Sequence, residues 1–193
     1  MRYVVATRNR HKLAELERLL APLELELLPE HVALPPETGA TFRDNALLKA
    51  RAASTALDRP VLADDSGLCV EALGGRPGVR SARYAGEGAS DRANLEKLVR
   101  EMSGRADRRA AFVCVLALID PHREREIVVE GRCEGVLAEA PRGERGFGYD
   151  PLFVPDDVGD GRTMAELEPG EKNAISHRGR AAQALLRELG LRP

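Results

Sequence analysis

Apolar positions along the chain change their spacing several times, and each change marks an element. Tyr3-Val4-Val5-Ala6 is an unbroken apolar run of strand type. Leu13, Leu16, Leu19 and Leu20 then recur at helical spacing until Pro22 stops the pattern. Leu23 to Leu28 predicts a second strand, a Pro-rich acidic loop follows around Pro35-Pro36-Glu37-Thr38-Gly39, and an Ala-rich helix is expected from Phe42 to about Ala56. Val61-Leu62-Ala63, after Pro60, reads as a short buried strand, with Ser66-Gly67 as the turn that ends it. Residues 74 to 89, rich in Gly and Arg, predict an ordered loop region, and Asp91 to Met102 a further amphipathic helix. Arg109 to Ile119 and Ile127 to Leu137 predict an antiparallel hairpin turning at Asp120-Pro121-His122. A closing helix is expected to carry Ile175, Ala182, Leu185, Leu186 and Leu189 on one face. With no repeat, linker or low-complexity tract, residues 1–193 predict one α/β domain, with room for two lobes around a cleft.

Composition narrows the picture in two ways. A 43% hydrophobic content beside 31% charged residues is that of a globular chain with a sizeable core. The formal charge of -2 offers no footprint for duplex nucleic acid, so a polyanionic small substrate would need a local basic pocket and a cation, magnesium being the natural candidate. No apolar run approaches a membrane span, and a soluble, cytoplasmic protein is expected. Cys69, Cys114 and Cys133 lack Cys-x-x-Cys spacing and read as small core residues rather than as a disulfide or zinc site.

Candidate chemistry begins with Asp64-Asp65, adjacent carboxylates at the mouth of an apolar run. The end of a strand in an open α/β sheet is where ligands bind, and alternation along the strand lets one carboxylate face the site while the other anchors the loop or reaches a metal through water. An Asp-Asp-Ser-Gly surface turn is the plainer alternative. Thr7-Arg8-Asn9-Arg10-His11-Lys12 joins the first strand to the first helix, where backbone N–H groups and the positive end of the helix dipole favour phosphate. Lys12 can reach the same anion, although a capped helix start with Asn9 as cap would use the same residues. Asp44 offers a third carboxylate, but Thr41 three residues before it has capping-box spacing. Lys49 lies about 140° further round that helix.

Two more clusters suit a flat, polar partner. Gly146-Phe147-Gly148-Tyr149-Asp150-Pro151 puts two rings in a glycine-flanked loop of a chain only 4% aromatic, so a purine stacking on Phe147 or Tyr149 competes with a hydrophobic plug. Lys172, His177 and Arg178, around the start of the last helix, supply donors for a carbonyl or phosphate.

In order and spacing these motifs resemble the inosine triphosphate pyrophosphatase family over nearly the whole chain. The resemblance runs through Ala6-Thr7-x-Asn9-x-x-Lys12, Phe42-x-Asp44-Asn45-Ala46, Ala63-Asp64-Asp65-Ser66-Gly67-Leu68, Pro77-Gly78-x-x-Ser81-Ala82-Arg83-Tyr84-Ala85-Gly86, Gly146-Phe147-Gly148-Tyr149-Asp150-Pro151 and Ser176-His177-Arg178. It implies an elongated α/β fold, a mixed twisted sheet flanked by helices with two lobes around a central cleft, and a homodimer. It implies magnesium-dependent hydrolysis of non-standard purine nucleoside triphosphates such as ITP, dITP and XTP, with water attacking the α-phosphorus to give the monophosphate and pyrophosphate. By motif, Asp65 is the expected general base and a metal ligand, with Asp64 and Asp44 as its metal-site partners. Thr7, Arg8, Asn9, Arg10, His11, Lys12, Lys49 and Ser66 are expected at the phosphates. Phe147, Gly148, Tyr149, Asp150, Lys172, His177 and Arg178 are expected around the base. The chain departs from the family pattern at Arg8, where many relatives have glycine, and at Asp44, where they have glutamate. Two other readings share these residues: a pyrophosphatase for modified pyrimidine nucleotides, and a nucleotide sensor that does not hydrolyse.

Overall fold

The computed structural model describes residues 2–191. Its strands β1 (Arg2–Val5), β2 (Glu24–Leu27), β3 (Val61–Val70), β4 (Arg109–Asp120), β5 (Arg125–Leu137) and β6 (Phe153–Pro155) form one open sheet in the order β2-β1-β3-β4-β5-β6. The principal helices are α1 (Arg10–Leu19), α2 (Phe42–Leu57), α3 (Asp91–Met102), α4 (Pro169–Ile175) and α5 (His177–Glu188). β1 pairs in parallel with β2 on one side and with β3 on the other, β5 and β6 pair antiparallel, and the sheet is therefore mixed. β4 and β5 are neighbours joined by four residues, too few for a parallel crossover, so they form the expected hairpin.

The chain divides into two compact units. The first comprises the residues up to Asp65, Cys114–Gly131 and the segment from Arg178; the second comprises Ser66–Val113 and Arg132–His177. β3, β4 and β5 each contribute residues to both.

In the first unit, strand alternation sorts the core into two layers. Tyr3, Val5, Leu62, Cys114, Leu116 and Leu118 pack with Leu16 and Leu20 of the α1 region and with Ala181, Ala182, Leu185 and Leu186 of α5. Their neighbours in sequence, Val4, Ala6, Val61, Ala63, Val115 and Ala117, pack instead with Ala46, Ala50 and Ala53 of α2. β1 is also where the strand order reverses, its successors β2 and β3 lying on opposite sides of it. The carboxyl ends of strands at such a point are the usual ligand position of an open α/β sheet.

The second unit has one core, in which Leu68 and Val70 of β3, Phe112 of β4, Cys133 and Leu137 of β5 and Phe153 of β6 meet Leu98 and Met102 of α3. Cys69 is half-buried, whereas Cys114 and Cys133 are buried. Among the described residues no helix is long and apolar enough to cross a membrane.

Three elements depart from the expectations. Ser66-Gly67 does not turn: β3 runs on to Val70, with Asp64 and Asp65 inside it. Gly67 is a close-approach glycine rather than a turn glycine, since a Cβ there would collide with Ser81 Oγ and Gly78 O, and Ser81 Oγ accepts from Leu68 N at 2.9 Å. The closing helix breaks at Ser176, which is extended (φ -65°, ψ 153°). Ile175 consequently ends α4 against the second unit's core, while Ala182, Leu185, Leu186 and Leu189 belong to the first. The three-residue β6 carries too short a pattern to be read from sequence.

Candidate active site

The same alternation that sorts the core assigns partners to the adjacent aspartates. Asp64 continues the Leu62 row toward α1 and α5, where Lys12 Nζ lies 2.9 Å from Oδ1 and Arg178 Nη2 3.5 Å from Oδ2. Asp65 continues the Ala63 row toward α2, where Lys49 Nζ lies 3.3 Å from Oδ1 and Asn45 Nδ2 donates to Oδ2 at 3.2 Å. Asn45 and Lys49 are four residues apart on α2 and share a face, as helical geometry requires. Lys49 Nζ also donates to Asp64 O at 2.7 Å and to Glu37 Oε1 at 2.6 Å, so it ties both aspartates to the loop before α2.

The two carboxylates differ in charge state for the same reason. Burial disfavours the ionised form of Asp64, but Lys12, Arg178 and Lys49 outweigh it and hold its carboxyl well below the usual carboxylate range. At Asp65 burial wins: its carboxyl is raised, Lys49 opposing and Glu37 reinforcing the shift. Burial works against the ammonium of Lys49, yet Asp65, Asp64 and Glu37 together raise it above its ordinary value. One aspartate is a fixed charge and its neighbour a group with enhanced proton affinity.

Other expected phosphate ligands have local duties. Asn9 caps α1, its Oδ1 accepting from His11 N at 2.9 Å and Lys12 N at 3.1 Å, and Thr7 Oγ1 accepts from Asn9 N. Arg10 and His11 are exposed. Arg8, expected at the phosphates, instead directs its guanidinium to the carbonyls of Leu28, Pro29, Glu30 and Val32, securing the segment after β2. Asp44 is exposed and engaged in the capping box with Thr41, accepting from Thr41 N at 3.2 Å and Thr41 Oγ1 at 2.7 Å. The second carboxylate at Lys49 is Glu37, which the sequence reading passed over as loop.

Arg178, expected at the base, is buried with Nη1 on Glu15 Oε2 at 2.5 Å and Nη2 on Asp64. Glu15 was likewise missed; its sequence signal is an acidic residue one helical turn after Lys12, beside the leucine stripe.

In the second unit Lys172 and Phe147 come together around Asp150. Asp150 Oδ2 accepts from Lys172 Nζ at 2.8 Å and Phe147 N at 2.9 Å, and the ammonium lies 5.2 Å from the Phe147 ring centroid. Gly146 (φ +76°) is required here, because a Cβ would strike the Asp150 carboxylate. Gly148 N donates to Asp91 Oδ2 at 3.0 Å. Tyr149 is not available for stacking, being buried with its hydroxyl donating to Ser81 O, whereas Phe147 is half-buried. His177 is buried and stacks on Phe112 at 4.7 Å and 11°. Ser66, on β3, is half-buried.

Among the described residues no three His, Cys, Asp or Glu side chains cluster as a ready metal cage. Asp65 and Glu37 nevertheless fit a hard cation: both present carboxylate oxygens to one ammonium, and a positive charge there would relieve the penalty on buried Asp65.

A mixed α/β sheet carrying a fixed-charge aspartate beside one of enhanced proton affinity, each with its own lysine, is the construction of a phosphate-handling α/β protein of the nucleotide-hydrolase type. The comparisons specify the family: residues 3–188 match the Ham1 family, and the chain belongs to it. It is 53% identical over 189 residues to a protein of Geobacillus kaustophilus (strain HTA426) named dITP/XTP pyrophosphatase, covering 94% of this chain and 91% of that one. The solved Ham1 protein of Staphylococcus aureus superposes with a TM-score of 0.88 at 41% identity, covering 98% of each chain. A nucleoside-triphosphatase, dITP/XTP pyrophosphatase, from Mycobacterium abscessus superposes at 0.76 with 50% identity, covering 96% of this chain and 99% of that one.

Proposed function

We propose that the protein hydrolyses non-standard purine nucleoside triphosphates, dITP, XTP and ITP, to the monophosphate and pyrophosphate. The observation that carries this reading is the splitting of Asp64 and Asp65 onto opposite faces of one strand, each with its own lysine. Similarity to the dITP/XTP pyrophosphatases supplies the substrate class.

In this reading Lys12, whose ammonium is held by Asp64 beside the α1 N-terminus, binds phosphate oxygens, and Lys49 adds a second positive charge. Asp65 takes the proton from the attacking water at one of its carboxylate oxygens. Asp65 and Glu37 would hold magnesium, which neutralises charge on the phosphates when bound. Phe147 supplies a face for the base, and Lys172 a donor that satisfies a 6-keto oxygen but not the amino group of adenine. The family resemblance also supports a homodimer and a cytoplasmic setting; light scattering on the purified protein tests the first.

The decisive experiment is pyrophosphate release from ITP, XTP, dITP, ATP, GTP and dTTP at equal concentration, with and without magnesium. Magnesium-dependent turnover restricted to the first three is expected. Equal turnover of all six would remove the keto-purine account, and binding without turnover would make the protein a sensor.

A further inference from the structure

Four buried or half-buried charges close a ring in the first unit. Lys12 Nζ meets Asp64 Oδ1 at 2.9 Å, Arg178 Nη2 meets Asp64 Oδ2 at 3.5 Å, and Arg178 Nη1 meets Glu15 Oε2 at 2.5 Å. Lys12 and Glu15 are three residues apart on α1, so the helix itself completes the circuit. The signs alternate and sum to zero. Arg178 needs both carboxylates: it is buried in the first turn of α5, where the helix dipole disfavours a cation, and it cannot shed its charge.

We propose that Glu15 is a positioning residue for phosphate binding, acting on Lys12 through Arg178 and Asp64. Glu15 Oε2 holds Nη1 of the guanidinium while Nη2 meets Asp64 Oδ2, and Asp64 Oδ1 meets Lys12. Without the Glu15 charge, Arg178 turns its full fork to the carboxylate that remains within reach. Asp64 is then shared differently, and the Lys12 ammonium loses its fixed position beside the α1 N-terminus. Glu15 itself touches no substrate in this account, which rests on the phosphate-binding role of Lys12 given above.

The test is calorimetric binding of inorganic tripolyphosphate to the wild type, Glu15→Gln, Lys12→Gln and the double variant. Each single change is expected to weaken binding about tenfold, the scale of one charged hydrogen bond. The double variant is expected to bind no more weakly than Lys12→Gln alone, because the effect of Glu15 passes through Lys12. Independent, multiplying losses would overturn the proposal, as would wild-type affinity in Glu15→Gln or no tripolyphosphate binding by the wild type. In turnover of ITP, Glu15→Gln should raise KM with little change in kcat; loss of active protein at constant KM would mark a merely structural role and sink the idea. Should Glu15→Gln fail to fold, Glu15→Met with Arg178→Met removes both charges at once. With no guanidinium left to take over Asp64, that variant is expected to bind tripolyphosphate as the wild type does, and weakened binding overturns the proposal. A wild type that shows the coupling but releases no pyrophosphate from any nucleotide would refute the hydrolase reading and leave the positioning role standing.

Discussion

The two units hold their polar groups in different ways. In the first, Glu15, Arg178, Asp64 and Lys12 form an alternating chain, and Asp65, Lys49 and Glu37 a second cluster joined to it through Asp64 O. In the second, the buried pair of Lys172 with Asp150 lies against the Phe147 ring, whose own N–H donates to the same carboxylate, and His177 stacks on Phe112. Point charges at fixed positions suit phosphate oxygens, which are recognised by charge and distance. A ring beside one ammonium suits a flat heterocycle, recognised by its face and one edge. In the proposed reading, phosphate chemistry falls to the first unit and base recognition to the second.

The sharpest break of that contrast is Asp65→Asn. It should lower turnover about 10³-fold, within the range for removing a general base, while thermal unfolding shows an intact fold. Near-normal kcat in a folded variant would refute the base assignment.

Asp64→Asn comes next and acts on stability. It leaves Lys12 and Arg178 facing a neutral amide, and chemical denaturation should show a loss of about 3–5 kcal/mol at pH 7. Because the folded-state carboxyl of Asp64 is lowered, its contribution is fully present above the unfolded value near about 3.9 and is lost as pH falls below it toward the folded value. The stability gap between wild type and variant should therefore be constant from pH 5 to 7 and shrink under more acid conditions. Asp65 has the opposite sign, since its raised carboxyl favours the folded state only below the ordinary carboxylate range, and that contribution is lost as pH rises through the raised value.

Phe147→Ala tests the other unit. The KM for ITP should rise roughly tenfold, corresponding to about 1–3 kcal/mol of stacking, while tripolyphosphate binding stays unchanged. Loss of tripolyphosphate affinity would erase the division of labour. The smallest effect is expected from Asp44→Ala: about 1 kcal/mol of stability from the lost cap, with the same magnesium concentration for half-maximal turnover. A displaced magnesium requirement would return Asp44 to the metal site.

Much of the first unit was legible in sequence because its signals are local. The run of apolar residues into Asp64-Asp65, the capped start at Asn9 and the Ala stripe of α2 each follow from period and composition alone. What escaped depends on contacts between distant segments. Glu37 lies in a proline-rich loop with no period to mark it, and only its approach to Lys49 reveals it. Arg178 and Glu15 are 163 residues apart, and no spacing rule joins them. Arg8 looked like a phosphate ligand because it sits among polar residues before a helix, yet four carbonyls between Leu28 and Val32 claim its guanidinium. Ser66-Gly67 was misread because glycine serves close approach as well as turning, and Ser81 packed against it decides which. In the second unit Tyr149 looked as available as Phe147, and burial alone separates them.

The thiols of Cys114 and Cys133 give this two-part construction a chemical readout. Cys114 lies in the first unit with its sulfur 3.9 Å from Asp64 Oδ2, and burial beside that carboxylate pushes its pKa up to about 12. Cys133 is buried in the second unit. Alkylating reagents attack thiolates, so Cys114 is inert while its surroundings stay closed and becomes reactive only when they open. Mass-spectrometric labelling under mild denaturant would thus time the opening of the two units separately, with one buried native cysteine as the clock in each, half-buried Cys69 being set aside.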